Sequence, residues 1–212
     1  MLNLCVDINE EAMVIGDPPF NMSPEQIVTW AATPARRTSR NVAYYYPHAL
    51  TSETFTGKDV FGAASGIALR TIAYSDEVSN VWFAPAGTRR GLVTGTSTVG
   101  YVSGQLGTAT TFNEVALNQG QRDALYQYFT NINPITFFPG RGLLVWGQKT
   151  SAPDTSAMDR INVVRLVMYI RRQLRKNTMS FVFEPNDQLT RDNLKAVVDS
   201  FLSDLIVKRA LY

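Results

Sequence analysis

The segment "INPITFFPGRGLLVWGQKTS", Ile132–Ser151, decides the fold because it joins two apolar runs through a turn. Pro139-Gly140-Arg141 is a typical turn sequence, and β-branched and aromatic residues lie on both sides of it. The segment therefore predicts a core hairpin in which Leu143–Trp146 is a buried strand. Gly140 and Gly142 belong to the turn, and Gly147 is predicted to give a tight exit with a positive φ.

The same segment contains part of a phosphate-binding pattern, with Gly142, Gly147, Lys149 and Thr150 in order. In a phosphate loop the lysine follows the second glycine directly, and a helix begins after the loop. Here Gln148 intervenes, the residues between the glycines are bulky and apolar, and "SAPD" follows. A nucleotide enzyme that uses Gly142–Thr150 is therefore disfavoured, and we predict no catalytic residue, no cofactor and no metal site.

The composition is typical of a folded protein. Of 212 residues, 45% are apolar and 18% are charged, and the net charge of +2 gives no argument for nucleic acid or membrane insertion. We expect a single domain over residues 1–212, with a loop or weak hairpin at 89–111. The single cysteine, Cys5, excludes a disulfide within the chain, and the single histidine, His48, is predicted to lie in a loop. The carboxylates of Glu10-Glu11, Asp76-Glu77 and Asp187 are predicted in turns, loops or helix caps.

Strand-like and helix-like segments alternate, which predicts an α/β (α+β) fold: a mixed β-sheet with helices packed on it. Two long amphipathic helices are expected near the C-terminus. The predicted strands outside the core hairpin are Leu2–Ile8, Ala12–Ile15, Asn41–Tyr46, Trp82–Gly87 and Met179–Phe183. The predicted helices are Ser23 to about Thr33, with Ser23 and Gln26 as a capping box, then Val60–Ala73, Asn118–Asn131, Asp159–Lys176 and Thr190–Arg209.

The last two helices have apolar stripes at helical spacing. In the first of them, six Lys or Arg residues and no acid lie between Arg160 and Lys176. Arg165, Arg172 and Lys176 are predicted on the face opposite the stripe, either as a solvated surface or as a docking face for an acidic partner. The predicted stripes consist of Val163, Val167, Ile170 and Leu174 in the first helix, and of Leu194, Val197, Val198, Phe201, Leu202, Leu205 and Ile206 in the second.

Several segments in order resemble the sheath proteins of contractile phage tails and related injection machines. They are "AMVIGDPP", "VAYYYP", "GAASGIALRT", "VWFAPAG", "INPITFFPGRGLLVWGQKTS", "DRINVVRLVMYIRRQLRK" and "FVFEPND". Gly140, Gly142, Trp146 and Gly147 match the family's glycine and tryptophan pattern, and Glu184, Pro185 and Asn186 match its "FEPN". Lys149 replaces the usual arginine, Phe83 replaces a common basic residue, and residues 89–111 match poorly.

The resemblance implies a structural subunit and not an enzyme. Sheath subunits polymerise around the tail tube and contract to drive it through the host envelope during genome ejection. The implied partners are neighbouring sheath subunits and the tube protein, with baseplate and tail terminator as further partners. The implied location is the virion tail, assembled in the host cytoplasm. We expect this chain to be a sheath core without its terminal arms, and therefore monomeric in isolation. The tube-facing surface is expected on the basic helix or on the final helix, with Arg165, Arg172 and Lys176 facing tube or partner in the first case. The alternative is an adaptor that does not polymerise.

Overall fold

A computed structural model describes residues 11–52, 55–104 and 111–211. Within these ranges the chain forms eight strands and six α-helices. The predicted strand Leu2–Ile8, Cys5 and Glu10 lie outside the described residues. The strands are β1 Val14–Gly16, β2 Val42–Tyr46, β3 His48–Ser52, β4 Asp59–Gly62, β5 Thr98–Ser103, β6 Thr111–Glu114, β7 Ile132–Phe138 and β8 Gly142–Val145. The helices are α1 Pro24–Ala31, α2 Ala64–Val78, α3 Gly87–Arg90, α4 Gln119–Tyr126, α5 Ile161–Thr178 and α6 Gln188–Val207.

The first sheet has the strand order β1-β2-β7-β8 and contains the predicted core hairpin. β1 and β2 are parallel, β2 and β7 are parallel, and β7 and β8 are antiparallel, so the sheet is mixed as predicted. The outer edge of β8 is covered, since the amide of Val145 donates to the Gly91 carbonyl at 2.8 Å and that of Val93 to the Leu143 carbonyl at 3.0 Å. This cover removes a free strand edge that could pair with another chain.

The second sheet is antiparallel, with the order β4-β3-β5-β6. β3 begins at His48, directly after the cis peptide bond between Tyr46 and Pro47. β5 and β6 pair in antiparallel fashion. Of the range 89–111, predicted as a loop or weak hairpin, residues 98–103 form β5, and Thr111 is the first residue of β6.

Both faces of the first sheet are buried, which explains why all five residues of β2 are apolar or aromatic. Ala43 and Tyr45 face a cluster that includes Ile67 and Ala68 of α2 and Ile161 of α5. The alternate residues of β2 face a second cluster with α1 and α4, which consists of Ile27, Ala31, Val42, Tyr44, Tyr46, Leu117, Leu125 and Ile132.

Two helices begin with a complete capping box. The Ser23 side chain caps α1 by accepting a hydrogen bond from the Gln26 amide. The Gln26 side chain in turn accepts a hydrogen bond from the Ser23 amide at 2.9 Å. This confirms the predicted helix start, although α1 ends at Ala31 and not at Thr33. Asn118 and Gln121 form the same arrangement at α4, which ends at Tyr126, before the predicted Asn131.

The two C-terminal helices form a hairpin, connected by Met179–Asp187. Their contact with the rest of the chain lies near the start of α5 and the end of α6, where Trp82, Leu205 and Ala210 are buried. Leu166, Tyr169 and Ile170 of α5 pack against this cluster. The predicted α5 stripe is therefore wrong in part, since of its members Ile170 alone joins the cluster. Among the described residues of α6, Leu205 alone is buried.

Three predicted elements are wrong. Val60–Ala73 begins as β4, because Val60 and Phe61 pair with β3, and α2 starts only at Ala64. Trp82–Gly87 is not a strand, because the Trp82 ring is buried beneath the C-terminal helices. Met179–Phe183 continues the helical backbone as a 3₁₀ turn over Met179–Phe181.

The structure also corrects two predictions about polar residues and one about a glycine. His48 lies in a strand with no exposed surface and not in a loop. Asp76 and Glu77 lie inside α2, whereas Asp187 caps α6 as predicted. Gly147 has no positive φ; that conformation occurs at Gly140 and Gly142, at +74° and +79°, where the hairpin turns.

Candidate functional site

Asn133 connects three segments of the first sheet. Its side-chain amide donates to the Tyr44 carbonyl at 3.0 Å and to the Lys149 carbonyl at 2.8 Å. Its Oδ1 accepts from the Lys149 amide at 2.6 Å, and the residue is fully buried. The side chain therefore uses its donors and its acceptor on backbone groups in the interior, as a buried amide must.

Gly147 is required for this contact because of space, not because of its backbone angles. A Cβ at this position would lie 2.8 Å from Asn133 Oδ1 and 2.9 Å from a ring carbon of Tyr126. Both distances are shorter than van der Waals contact. The glycine therefore lets the chain after β8 pass directly over Asn133.

The geometry of Gly142–Thr150 contradicts a phosphate loop. Gly142–Val145 is strand, and the Lys149 ammonium donates to the Tyr126 carbonyl at 2.7 Å while it lies 4.5 Å from the centre of the Tyr126 ring. Burial lowers the pKa of Lys149. The Thr150 amide donates to the Asp159 carbonyl at 2.8 Å and its hydroxyl to the Met158 carbonyl at 3.3 Å, so the polar groups of Lys149 and Thr150 are used within the chain.

Ser151 completes the junction between the first sheet and the segment before β2. Its amide donates to the Val42 carbonyl at 2.7 Å, and its hydroxyl contacts the carbonyls of Arg37 and Ser39 at 3.0 and 3.1 Å. The roles of Asn133 and Ser151 were not predicted. An asparagine inside an apolar strand was the available signal, because a buried amide needs hydrogen-bond partners.

Trp146 is not part of the buried strand that was predicted. It follows β8, is 42% exposed and lies 4.5 Å from the ring of Phe138. The Arg122 guanidinium lies on Phe138 at 5.1 Å, which makes an aromatic and cationic cluster at the surface.

His48 is buried between the two sheets as a neutral acceptor. Its Nδ1 accepts from the Ala64 amide at 3.2 Å, and the ring of Phe20 is 4.4 Å away. Burial lowers its pKa, with Asp17 as an opposing influence. The residue therefore connects β3 to the start of α2, and it has no role in the basic surface.

The structure divides the predicted basic surface of α5 into two parts. Arg165 forms an ion pair with Asp76 of α2, and 14% of its side chain is exposed. Arg175 pairs with Glu11. Arg172 and Lys176 are exposed, and neither forms an ion pair with a described residue. The three predicted residues thus lie on one helix but differ in their availability to a partner.

Glu184, Pro185 and Asn186 lie in the exposed connection between α5 and α6. Asn186 accepts from the Arg191 side chain at 2.9 Å, and Asp187 accepts from the Thr190 amide at 2.8 Å. Both Asn186 and Asp187 therefore shape the start of α6. Among the described residues, no helix has both the length and the apolar character that crossing a bilayer requires.

No protein-family model matches the chain. It is 35% identical over 133 residues to the tail sheath protein of Vibrio phage KVP40, covering 63% of this chain and 17% of the relative. It is 31% identical over 130 residues to the tail sheath protein of Enterobacteria phage T4, with 61% and 17% covered. The tail sheath protein of Salmonella phage ViI is 24% identical over 193 residues, with 89% and 27% covered.

Solved structures show the same fold. A chain of the anti-feeding prophage baseplate superposes with a TM-score of 0.74 and 26% identity over 98% of this chain and 48% of that chain. A chain of the contracted helical sheath of the same prophage superposes with a TM-score of 0.73 and 25% identity, over 97% of this chain and 49% of that chain. These findings confirm the predicted resemblance and fold class. The chain spans about a sixth of the length of the first two curated relatives.

Proposed function

We propose that this chain, a relative of the contractile-tail sheath proteins, is the structural core of a sheath subunit that polymerises around a tail tube and contracts. The observation that carries the proposal is the match in fold over nearly the whole chain to a chain of a contracted helical sheath, together with phage relatives named as sheath proteins. The proposed location is the virion tail, after assembly in the host cytoplasm.

The interior of the chain suits a part that moves as a rigid body. The first sheet is buried on both faces, and Asn133 and Ser151 fix the segments on either side of it. A rigid unit of this kind transmits a subunit rotation without deforming. Gly142–Thr150 belongs to the core hairpin and does not form a phosphate loop. The energy of contraction would then come from the packing between subunits.

The surface that we assign to the tube is the exposed part of the basic helix, Arg172 and Lys176. The charge pattern of the sequence groups Arg165 with them, but its pairing with Asp76 leaves it a role within the chain. An exposed ion pair contributes only about 0–1 kcal/mol. Contacts of this strength suit a surface that must release from the tube in one stroke.

The test is charge reversal in the full-length protein, with Arg172→Glu and Lys176→Glu combined. We expect the sheath to form with less tube inside it, as measured by electron microscopy of co-assembled particles. The matched control reverses Lys58 and Arg141, two exposed cations that lie outside the two C-terminal helices. Normal tube content in the first variant would contradict the assignment of this surface.

The wider proposal has its own test. Electron microscopy of the full-length protein separates a sheath, which forms long striated tubes, from an adaptor, which forms discrete particles. The proposed partners are neighbouring subunits and the tube, with baseplate and terminator at the two ends. Residues 1–212 alone should sediment as a monomer, and long ordered tubes from this chain alone would contradict that expectation.

A further inference from the structure

The connection between α5 and α6, Met179–Asp187, is here called the hairpin tip, and it has several exposed apolar side chains. Phe183 is 99% exposed, Met179 is 74% exposed and Val182 is 67% exposed. Since α5 has 18 residues, the tip lies about 27 Å from the start of the helix, beyond the packed cluster at Trp82. Adjacent exposed apolar side chains of this size are typical of interaction surfaces.

The tip also carries an unpaired negative charge. Asn186 and Asp187 already accept hydrogen bonds within the chain. The Glu184 carboxylate, directly after Phe183, has no hydrogen-bond or ion-pair partner among the described residues. A partner for the tip should therefore offer an apolar cavity beside a cation.

A groove with these two properties lies on the outer face of α2, and we call it the α2 groove. A cavity of about 410 Å³ lies between α2 and the segment Leu92–Thr94. A second cavity, of about 230 Å³, continues along α2 towards Gly66 and Thr96. The first cavity is lined by Arg70, Ala73, Tyr74, Glu77, Leu92 and Thr94.

Arg70 lines both cavities. Its guanidinium lies against the backbone of Gly95, where φ is +72° and a Cβ would collide with it. Among the described residues it has no ion-pair or hydrogen-bond partner, and Glu77, which also lines the first cavity, does not pair with it. Tyr74 and Leu92, 42% and 41% exposed, provide apolar surface beside the cation.

We propose that the hairpin tip of one copy inserts into the α2 groove of a neighbouring copy. Phe183 fills the cavity between Tyr74 and Leu92, and Glu184 pairs with Arg70. The argument is complementarity: one surface offers a ring next to a free carboxylate, and the other offers an apolar cavity next to a free cation. The setting, a polymer of identical copies, rests on the proposed function.

The two surfaces are different parts of the same chain, so the contact is head-to-tail. A head-to-tail contact that does not close into a ring produces an open helical polymer. One aromatic side chain and one ion pair form an interface well below the roughly 1,000 Å² that a stable complex needs. The contact therefore agrees with a monomeric isolated chain, and it acts together with other contacts in the assembled protein.

The test is a charge exchange in the full-length protein. Arg70→Glu and Glu184→Arg should each raise the protein concentration at which polymers form by roughly five- to tenfold, because like charges then meet. The double variant restores the opposite pair, and its threshold should return to within about twofold of the wild type. Phe183→Ala should also raise this concentration, and adding the charge substitutions to Phe183→Ala should not lower it again. Pelleting of polymers measures the threshold.

Matched controls reverse Arg89 and Asp123, exposed charges outside both surfaces, and circular dichroism checks that every variant is folded. Unchanged thresholds in the single variants would overturn the proposal. So would a double variant as defective as the singles, since tip and groove would then have different occupants, such as the tube or another part of the same chain. If the wild-type polymers hold no tube, the proposed function fails, and the pelleting thresholds of the same variants still decide this contact. If the wild type forms no polymer at all, both proposals are wrong.

Discussion

All five residues of β2 are buried, whereas among the described residues of α6 only Leu205 is buried. β2 is apolar or aromatic throughout and lies between two layers of helices, whereas α6 has an apolar stripe and a neighbour on one side near its end. The sheet therefore derives its stability from within the chain. The helical hairpin keeps apolar surface that is available to other molecules. In a subunit of a polymer, the sheet would serve as the rigid body and the helical hairpin as a contact surface.

The largest effect is expected in the sheet, at Asn133. Asn133→Leu would remove three hydrogen bonds to buried backbone, those to the Lys149 amide and to the carbonyls of Tyr44 and Lys149. We expect a loss of about 3–5 kcal/mol in the free energy of unfolding, measured by urea denaturation. Asn177→Leu, on the exposed part of α5, is the control. Equal losses in both variants would remove the distinction between sheet and hairpin.

Leu205→Ala tests where the hairpin is attached to the body. Leu205 is 1% exposed and packs with Trp82 and Ala210. We expect a loss of about 2–4 kcal/mol by thermal or urea unfolding. Val207→Ala, two residues later and 81% exposed, should change the stability by less than about 0.5 kcal/mol. A large loss at Val207 would mean that the end of α6 is covered within the chain.

Gly147→Ala tests the close approach of the chain to Asn133. The added methyl group overlaps Asn133 and Tyr126, so a loss of about 1–3 kcal/mol is expected. Gly66→Ala is the matched control, because a methyl group there would meet no described atom within 4 Å and the residue lies in a helix. That variant should gain up to about 1 kcal/mol. A tolerated alanine at 147 would mean that the Asn133 contact is not tight.

The smallest effect concerns pH. The pKa of His48 is lowered in the folded protein by burial, so stability is independent of this group above the unfolded pKa of about 6.5 and falls with pH between that value and the lower folded pKa. The slope attributable to one proton is at most about 1.4 kcal/mol per pH unit. Urea unfolding between pH 5 and 8 should show this slope in the wild type and a reduced slope in His48→Gln. Identical slopes would contradict a buried neutral His48.

The elements with a local signal were predictable from the sequence. The capping box at Ser23, the turn at Pro139–Arg141 and the periodicity of α6 each depend on neighbouring residues. The failures arose where distant partners decide the structure. Val60 and Phe61 form a strand because β3 is beside them, and Met179–Phe183 is not a strand because no described strand lies beside it.

The candidate surface shows the same limit. The charge pattern of α5 was visible in the sequence, but the pairing of Arg165 with Asp76, 89 positions away, was not. The role of Asn133 was likewise hidden, because its partners at Tyr44 and Lys149 come together only in the folded sheet.

The order of strands in the first sheet has a consequence for synthesis on the ribosome. β2 is complete long before β7, its partner, since the hydrogen-bonded residues Tyr44 and Asn133 are 89 positions apart. At 5–20 residues per second, "VAYYY" waits roughly 4 to 18 s for that neighbour. During such an interval the edge of β2 opposite β1 has no neighbour, and an open edge of an apolar strand is prone to aggregation. The yield of this protein in the cell should therefore depend on chaperones that bind the nascent chain around Val42–Tyr46.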